Sequence, residues 1–230
     1  MKKLIAILAL SLVALASRAI VTNLTVSAYV NTVIPDNTTL GLYSQATVAG
    51  MTGPLTNFSV SLNITGGVNS DLYAYLLSPE NYTVVLLNRV GVSSSVPLGY
   101  TDAGFNITLS PSASYNIHGY QANGPSFSGG QLIGDWAPDQ RAIDPQSSVG
   151  AFDAAPAGNG FDSFFGPEPN GVWTLFVADF STPGQSTLES WSMTLTTVPE
   201  PQAWTLLIVG GGMLVGFRLY RGKNRCTAGK

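Results

Sequence analysis

The sequence predicts an all-β fold, an antiparallel β-sandwich of jelly-roll type. Three observations point to it. Through the middle of the chain, apolar and polar residues alternate with period two. Clusters of Gly, Pro, Asn and Asp interrupt the alternation at short intervals. No stretch of useful length in that region repeats with the helical period. A signal peptide before the sandwich and a transmembrane helix after it complete the expected organisation.

The first element, MKKLIAILALSLVALASRA, has the three parts of a secretory signal. Lys2 and Lys3 are the positive start, and Leu4 to Ala16 form the apolar stretch. Small residues at Ser17 and Ala19 place cleavage after Ala19. The apolar stretch falls short of the ~20 residues that span a bilayer, which favours a cleaved signal over an anchor.

The body follows. In NFSVSLNIT, Phe58, Val60, Leu62 and Ile64 share one face of a strand, with Ser59, Ser61 and Asn63 on the other. FNITL repeats the pattern with Phe105, Ile107 and Leu109, and WSMTLTTV repeats it with Trp191, Met193 and Leu195. VWTLFVADF is apolar on both faces, as a central strand should be. Turn chemistry separates these runs at GPLTN, SPEN, SPSAS and TPGQS. Residues 124–171 differ: they read as a long acidic loop, either a binding excursion or a solvated one with a short strand or two.

Charge narrows the partners. Between Ile20 and Pro199 the only basic residues are Arg89 and Arg141, against twelve Asp and Glu. Such a body repels nucleic acid and anionic lipid. Its acids suit divalent cations, and glycans need no charge. The one cysteine, Cys226, lies far from the body, so disulfides and cysteine-held zinc are excluded there.

Catalytic patterns are missing. The only histidine is His118, in YNIHGY, and no serine stands in Gly-x-Ser-x-Gly. There is no phosphate-binding glycine loop, dinucleotide fingerprint or HExxH. Paired carboxylates for glycoside hydrolysis are a weak signal among so many acids. Six Asn-x-Ser/Thr sequons begin at Asn23, Asn37, Asn57, Asn63, Asn81 and Asn106; they read as solvated strand faces rather than glycosylation sites.

Four segments carry a family resemblance: IPDN at residues 34–37, FSVSLNIT with SDLYAYLLSPEN, YTDAGF, and GVWTLFVADFSTPGQSTLESWSMTLT. Together they resemble the P/Homo B domain, the β-sandwich that follows the catalytic domain in kexin- and furin-like proprotein convertases. The most specific spacing is that of Trp173, Leu175, Val177, Asp179, Leu188 and Trp191. The resemblance covers 34–197 and leaves 20–33 as a lead-in. It implies a binding or structural module without a catalytic domain of its own. It also implies a calcium site at Asp71, Asp102 and Asp179. The competing expectation is a secreted hydrolase, a serine endopeptidase by association or a glycosidase, with its site in 124–171.

The tail, residues 198–225 with a basic end to 230, resembles the PEP-CTERM sorting signal of Gram-negative bacteria. Pro199, Glu200 and Pro201 form the motif, an apolar helix is expected over 203–220, and Arg218, Arg221, Lys223 and Arg225 follow. That helix is a marginal span, and its basic end stays cytoplasmic by the positive-inside rule. The two prolines keep the motif extended at the outer face. The resemblance implies export by signal peptidase, brief residence in the inner membrane, and processing by an exosortase. Delivery to the cell surface or an exopolysaccharide matrix would follow.

Overall fold

The computed structural model describes residues 22–156 and 160–198. The expected signal peptide, the sorting motif and the apolar tail helix lie outside them. Among the described residues no helix is long and apolar enough to cross a membrane. Residues Thr22–Thr197 make one compact unit.

That unit is a β-sandwich. One sheet has six strands in the order β1-β10-β3-β6-β8-β7, and the other has four, β2-β9-β4-β5. The six-stranded sheet contains β1 (Thr22–Val33), β3 (Leu55–Gly66), β6 (Phe105–Leu109), β7 (Ser126–Ser128), β8 (Gln131–Trp136) and β10 (Ser186–Thr197). The four-stranded sheet contains β2 (Leu42–Val48), β4 (Leu72–Leu77), β5 (Thr83–Asn88) and β9 (Gly171–Asp179). A short helix, α1 (Val149–Ala154), sits in the long excursion.

The alternation read in the sequence has the expected cause. Phe58, Val60, Leu62 and Ile64 of β3 stand opposite Leu195, Met193, Trp191 and Leu188 of β10, and all are buried. These inward side chains meet Leu72, Ala74 and Leu76 of β4 and Trp173, Leu175 and Val177 of β9 in one core. β9 lies between β2 and β4; its inward face joins the core and its outward Phe176 is covered by Tyr43, Tyr73 and Tyr75, so both faces are apolar. Trp173 stacks on Phe58 and meets Phe164 edge-on, and its Nε1 donates to the Pro169 carbonyl at 2.9 Å. Trp191 reaches the opposite sheet, where its Nε1 donates to Ser44 Oγ at 2.8 Å. Both indoles thus bury area without stranding their N–H.

Three features depart from the expected plan. The stretch read as a lead-in is strand β1, paired along its length with β10, from Thr22 opposite Thr197 to Val33 opposite Thr187. Its alternation is real: Leu24, Val26 and Ala28 point inward and Thr25, Ser27 and Tyr29 outward. The sandwich therefore begins at about residue 22 rather than 34. Second, β6 and β8 run parallel, so the fold is not wholly antiparallel. The 21 residues between them make a crossover long enough to return the chain to the same end. Third, the acidic excursion is locally folded, holding β7, β8, α1 and a 3-10 turn at Phe161–Phe164.

The excursion has structural work at the edge of the smaller sheet. The amides of Asp139 and Gln140 donate to the carbonyls of Leu86 and Val85 on the outer edge of β5. An open edge strand invites unwanted pairing. Here it is covered, and Val84 to Asn88 are buried throughout.

Candidate functional site

The clearest concentration of charge sits where β4 begins and β9 ends. Leu72 pairs with Asp179, and the amide of Phe180 donates to the Asp71 carbonyl at 2.9 Å. This register sets Asp71 and Asp179 side by side. The Thr38 amide donates to the Asp179 carbonyl at 2.9 Å, and the Ile34 amide to the Ser186 carbonyl at 2.8 Å. Those two bonds fold the 34–38 turn over the same end and bring in Asp36.

The three carboxylates repel one another in a poorly solvated place. Asp179 is fully buried. Burial, reinforced by the charges of Asp71 and Asp36, pushes its carboxyl up to about 6, against weaker stabilisation from the Ser181 amide and Ser186 hydroxyl. Those two donors lie at 3.4 and 3.3 Å, at the long end for hydrogen bonds. Burial also raises Asp71; the nearby Arg89 guanidinium opposes that and Asp36 adds to it. One oxygen of Asp36, Oδ1, is buried with no hydrogen-bond partner among the described residues. Oxygen-only donors of this kind suit a hard cation. The side chains are not spaced as a finished cage: among the described residues no group of three or more His, Cys, Asp or Glu is arranged to hold a metal.

Of the three acids singled out from the sequence, Asp71 and Asp179 therefore meet, and Asp102 goes elsewhere. Its Oδ2 accepts from Tyr120 Oη at 2.8 Å and from Gln121 Nε2 at 2.7 Å. Its backbone carbonyl accepts from the Asn69 amide. Burial, and then the Asp102 charge, push the Tyr120 phenol upward. The acid that takes the third place is Asp36, which lies inside the IPDN segment. Its position depends on the Thr38–Asp179 backbone bond, which no local pattern announces.

His118 is buried and occupied on both sides. Nδ1 lies 2.7 Å from Asp139 Oδ2, and Nε2 lies 3.1 Å from the Val92 carbonyl. Both neighbours are hydrogen-bond acceptors, so neither ring nitrogen faces a free site. Asp139 also accepts from Arg141 Nη1 at 3.1 Å and from the Asn88 amide at 3.1 Å. The His118–Asp139 pair superficially matches two of the three members of a hydrolytic triad. The nitrogen that would face a serine nucleophile faces a main-chain carbonyl instead. An open cleft of about 360 Å³ lies beside the pair, lined by Asn116, His118, Gly119, Asn123, Asp139 and Arg141.

The remaining acids of 124–171 are dispersed. Asp144 caps the Gln146 amide. Asp153 accepts from the backbone and hydroxyl of Ser94, which lowers its pKa. Asp135 is exposed on β8. No two of these three share a partner.

The tyrosines divide by sheet. Tyr73 and Tyr75 lie on the outer face of the four-stranded sheet against Phe176, with Tyr43 beside them. Tyr75 stacks on Phe176, Tyr73 meets it edge-on and Tyr43 is tilted against it, so the three rings cover Phe176. Burial and a hydrogen bond with Tyr43 push Tyr75 up to about 12. Tyr100 and Tyr120 pack edge-on, with Tyr120 in the core, while Tyr43 and Tyr115 are largely exposed. The sequons also sort by geometry. Asn23, Asn57, Asn63 and Asn106 all stand on the outer face of the six-stranded sheet, because period two puts Asn and the following Ser or Thr on the same side.

No protein-family model matches the chain, and no curated protein matches it. Two solved structures resemble it in chain path. One is the crystal structure of Aeromonas sobria serine protease and the chaperone (ORF2) complex, at 17% identity and a TM-score of 0.42, covering 82% of this chain and 29% of that chain. The other is the crystal structure of the serine protease of Aeromonas sobria, at 16% identity and a TM-score of 0.41, covering 78% of this chain and 28% of that one. The present chain thus spans less than a third of the chains it resembles. At that level of likeness no residue role and no activity transfers.

Proposed function

We propose that this chain is an exported, non-enzymatic surface or matrix protein whose β-sandwich is a binding or structural module. The observation that carries the reading is the occupation of His118, the chain's only histidine, on both ring nitrogens. Three acids of the excursion support it too, since Asp144 and Asp153 cap local amides and Asp139 belongs to the cover over β5. The signal at residues 1–19 and the tail motif Pro199-Glu200-Pro201 supply the route: signal peptidase, a brief stay in the inner membrane, then an exosortase. Exopolysaccharide is the partner class that destination offers.

Calcium belongs to the same reading, at Asp36, Asp71 and Asp179. It would neutralise three buried or half-buried carboxylates and fasten the 34–38 turn to β4 and β9. Its role there is structural.

The test has two arms. A zymogram of the full chain with casein and with host exopolysaccharide should show no clearing. Fractionation of the producing cells should find the protein at the surface or in the matrix. Hydrolysis abolished by His118→Ala would overturn the non-enzymatic reading, and retention in the cytoplasm would overturn the export reading.

A further inference from the structure

We propose that the outer face of the six-stranded sheet binds an uncharged glycan in a trough that runs across β1, β10, β3 and β6. The proposal rests on the binding-module reading above and names its ligand class and site.

Strand register builds the trough. Tyr29 of β1 stands opposite Ser190 of β10, which stands opposite Asn63 of β3, which stands opposite Asn106 of β6. A second row runs beside it: Ser27, Ser192, Ser61 and Thr108. At ordinary strand spacing each row is about 14 Å across. The small serines in the middle lie lower than Tyr29 at one end and Asn106 at the other. The result is a groove of about 200 Å³ over Leu62 and Trp191.

The chemistry of the lining is uniform. Every outward side chain in the groove is a hydroxyl, an amide or the Tyr29 ring, and none is charged. Elsewhere on this face polar groups satisfy one another, Thr25 with Thr194 and Thr196 with Asn23, and within the trough Ser61 bonds Thr108. In the trough, among the described residues, the hydroxyls of Ser27, Ser190 and Ser192 have no such partner. Asn63 uses only its oxygen, which accepts from Gln131. Its NH₂ remains available, as does the amide of Asn106.

Tyr29 is 94% exposed at the rim of this groove. An aromatic ring so placed gives the apolar face of a pyranose something to stack on, while hydroxyls and amides meet the sugar's own hydroxyls. Charge selects within that class. With only Arg89 and Arg141 against twelve acids, the body offers a polyanion nothing. A neutral polysaccharide meets no such penalty.

The experiment is calorimetric titration of the full-length chain with cello-, malto- and mannohexaose, and with oligogalacturonate as the charged counterpart. At least one neutral hexasaccharide should bind. Tyr29→Ala should weaken it about tenfold, and Ser190→Tyr, which fills the trough, should abolish it. Tyr43→Ala, on the opposite sheet, should leave it unchanged. Thermal melting of each variant shows that it is folded. Binding that is lost in Tyr43→Ala and kept in Tyr29→Ala overturns the site. Binding of oligogalacturonate alone, or of no sugar, overturns the neutral-glycan inference. The surface location of the protein then still decides the module reading separately.

Discussion

The rings of Phe58 on β3 and Trp173 on β9 stack 5.1 Å apart with 19° between their planes, so one aromatic pair joins the two sheets. Phe164, from the excursion, closes on the same indole edge-on at 5.0 Å. Trp173→Ala should therefore open a cavity that three segments share. A loss of ~3–5 kcal/mol is expected, a large fraction of the roughly 5–15 kcal/mol of an ordinary domain. Urea unfolding measures it, and Trp173→Phe should cost clearly less. Equal midpoints for wild type and Trp173→Ala would contradict the packing.

Asp179 makes the fold sensitive to pH in an unusual direction. Its carboxyl is raised to about 6 by burial and by its acidic neighbours. The folded state then holds a proton that the unfolded state releases, and stability falls as pH rises from the ordinary carboxylate range to about 6. Asp71, raised in the same direction, adds to the effect. Melting temperature against pH should decline across that window. Asp179→Asn should flatten the decline and raise stability at pH 7.

Calcium should reverse that cost by pairing with the ionised acids. At a hundred times its dissociation constant the gain is about 2.7 kcal/mol. Thermal melting with calcium and with chelator reads it directly. The shift should vanish in Asp36→Asn with Asp179→Asn and survive Asp102→Asn, since Asp102 is bonded to Tyr120 and Gln121. No shift in the wild type removes calcium from the account.

His118 should prove to be a clamp. Through Asp139 it holds the strip whose amides cover β5. His118→Ala leaves the buried Asp139 carboxylate with Arg141 and one amide, at a cost of about 1–3 kcal/mol for the lost donor. Hydrogen exchange should quicken first at the amides of Asp139 and Gln140. Unchanged protection there would separate His118 from the edge cover.

Processing can be read by mass. Native protein should lack residues 1–19 and everything beyond about Pro201. Cys226 in the mature surface form would count against exosortase cleavage.

The sandwich was legible wherever a strand is half-buried. β3, β6 and β10 announce themselves through Phe58, Phe105 and Trp191 with their period-two neighbours. β1 carries the same alternation in weaker residues, Leu24, Val26 and Ala28, and its partner strand lies more than 150 residues later. β8 is interrupted by Gly134 at φ 110, which hides its pattern. Strand direction leaves no trace in alternation, so the parallel β6–β8 pair was invisible. The candidate site divides in the same way. Asp71 and Asp179 flank recognisable strands, whereas Asp36 arrives by a long-range backbone bond. Tyr29 gave no signal, because its exposure depends on which strand neighbours β1.

The strand order has a consequence for when this molecule can fold. The last two strands in sequence, β9 and β10, occupy interior places, β9 between β2 and β4 and β10 between β1 and β3. Every earlier strand that touches them must wait with its pairing face open until the chain is nearly complete. Contacts so distant in sequence close slowly. A partial chain emerging from the ribosome has neither central strand and stays unfolded. If the chain is exported as proposed, that delay is an advantage: the polypeptide remains thin enough to pass, and the sandwich locks only when β10 has crossed.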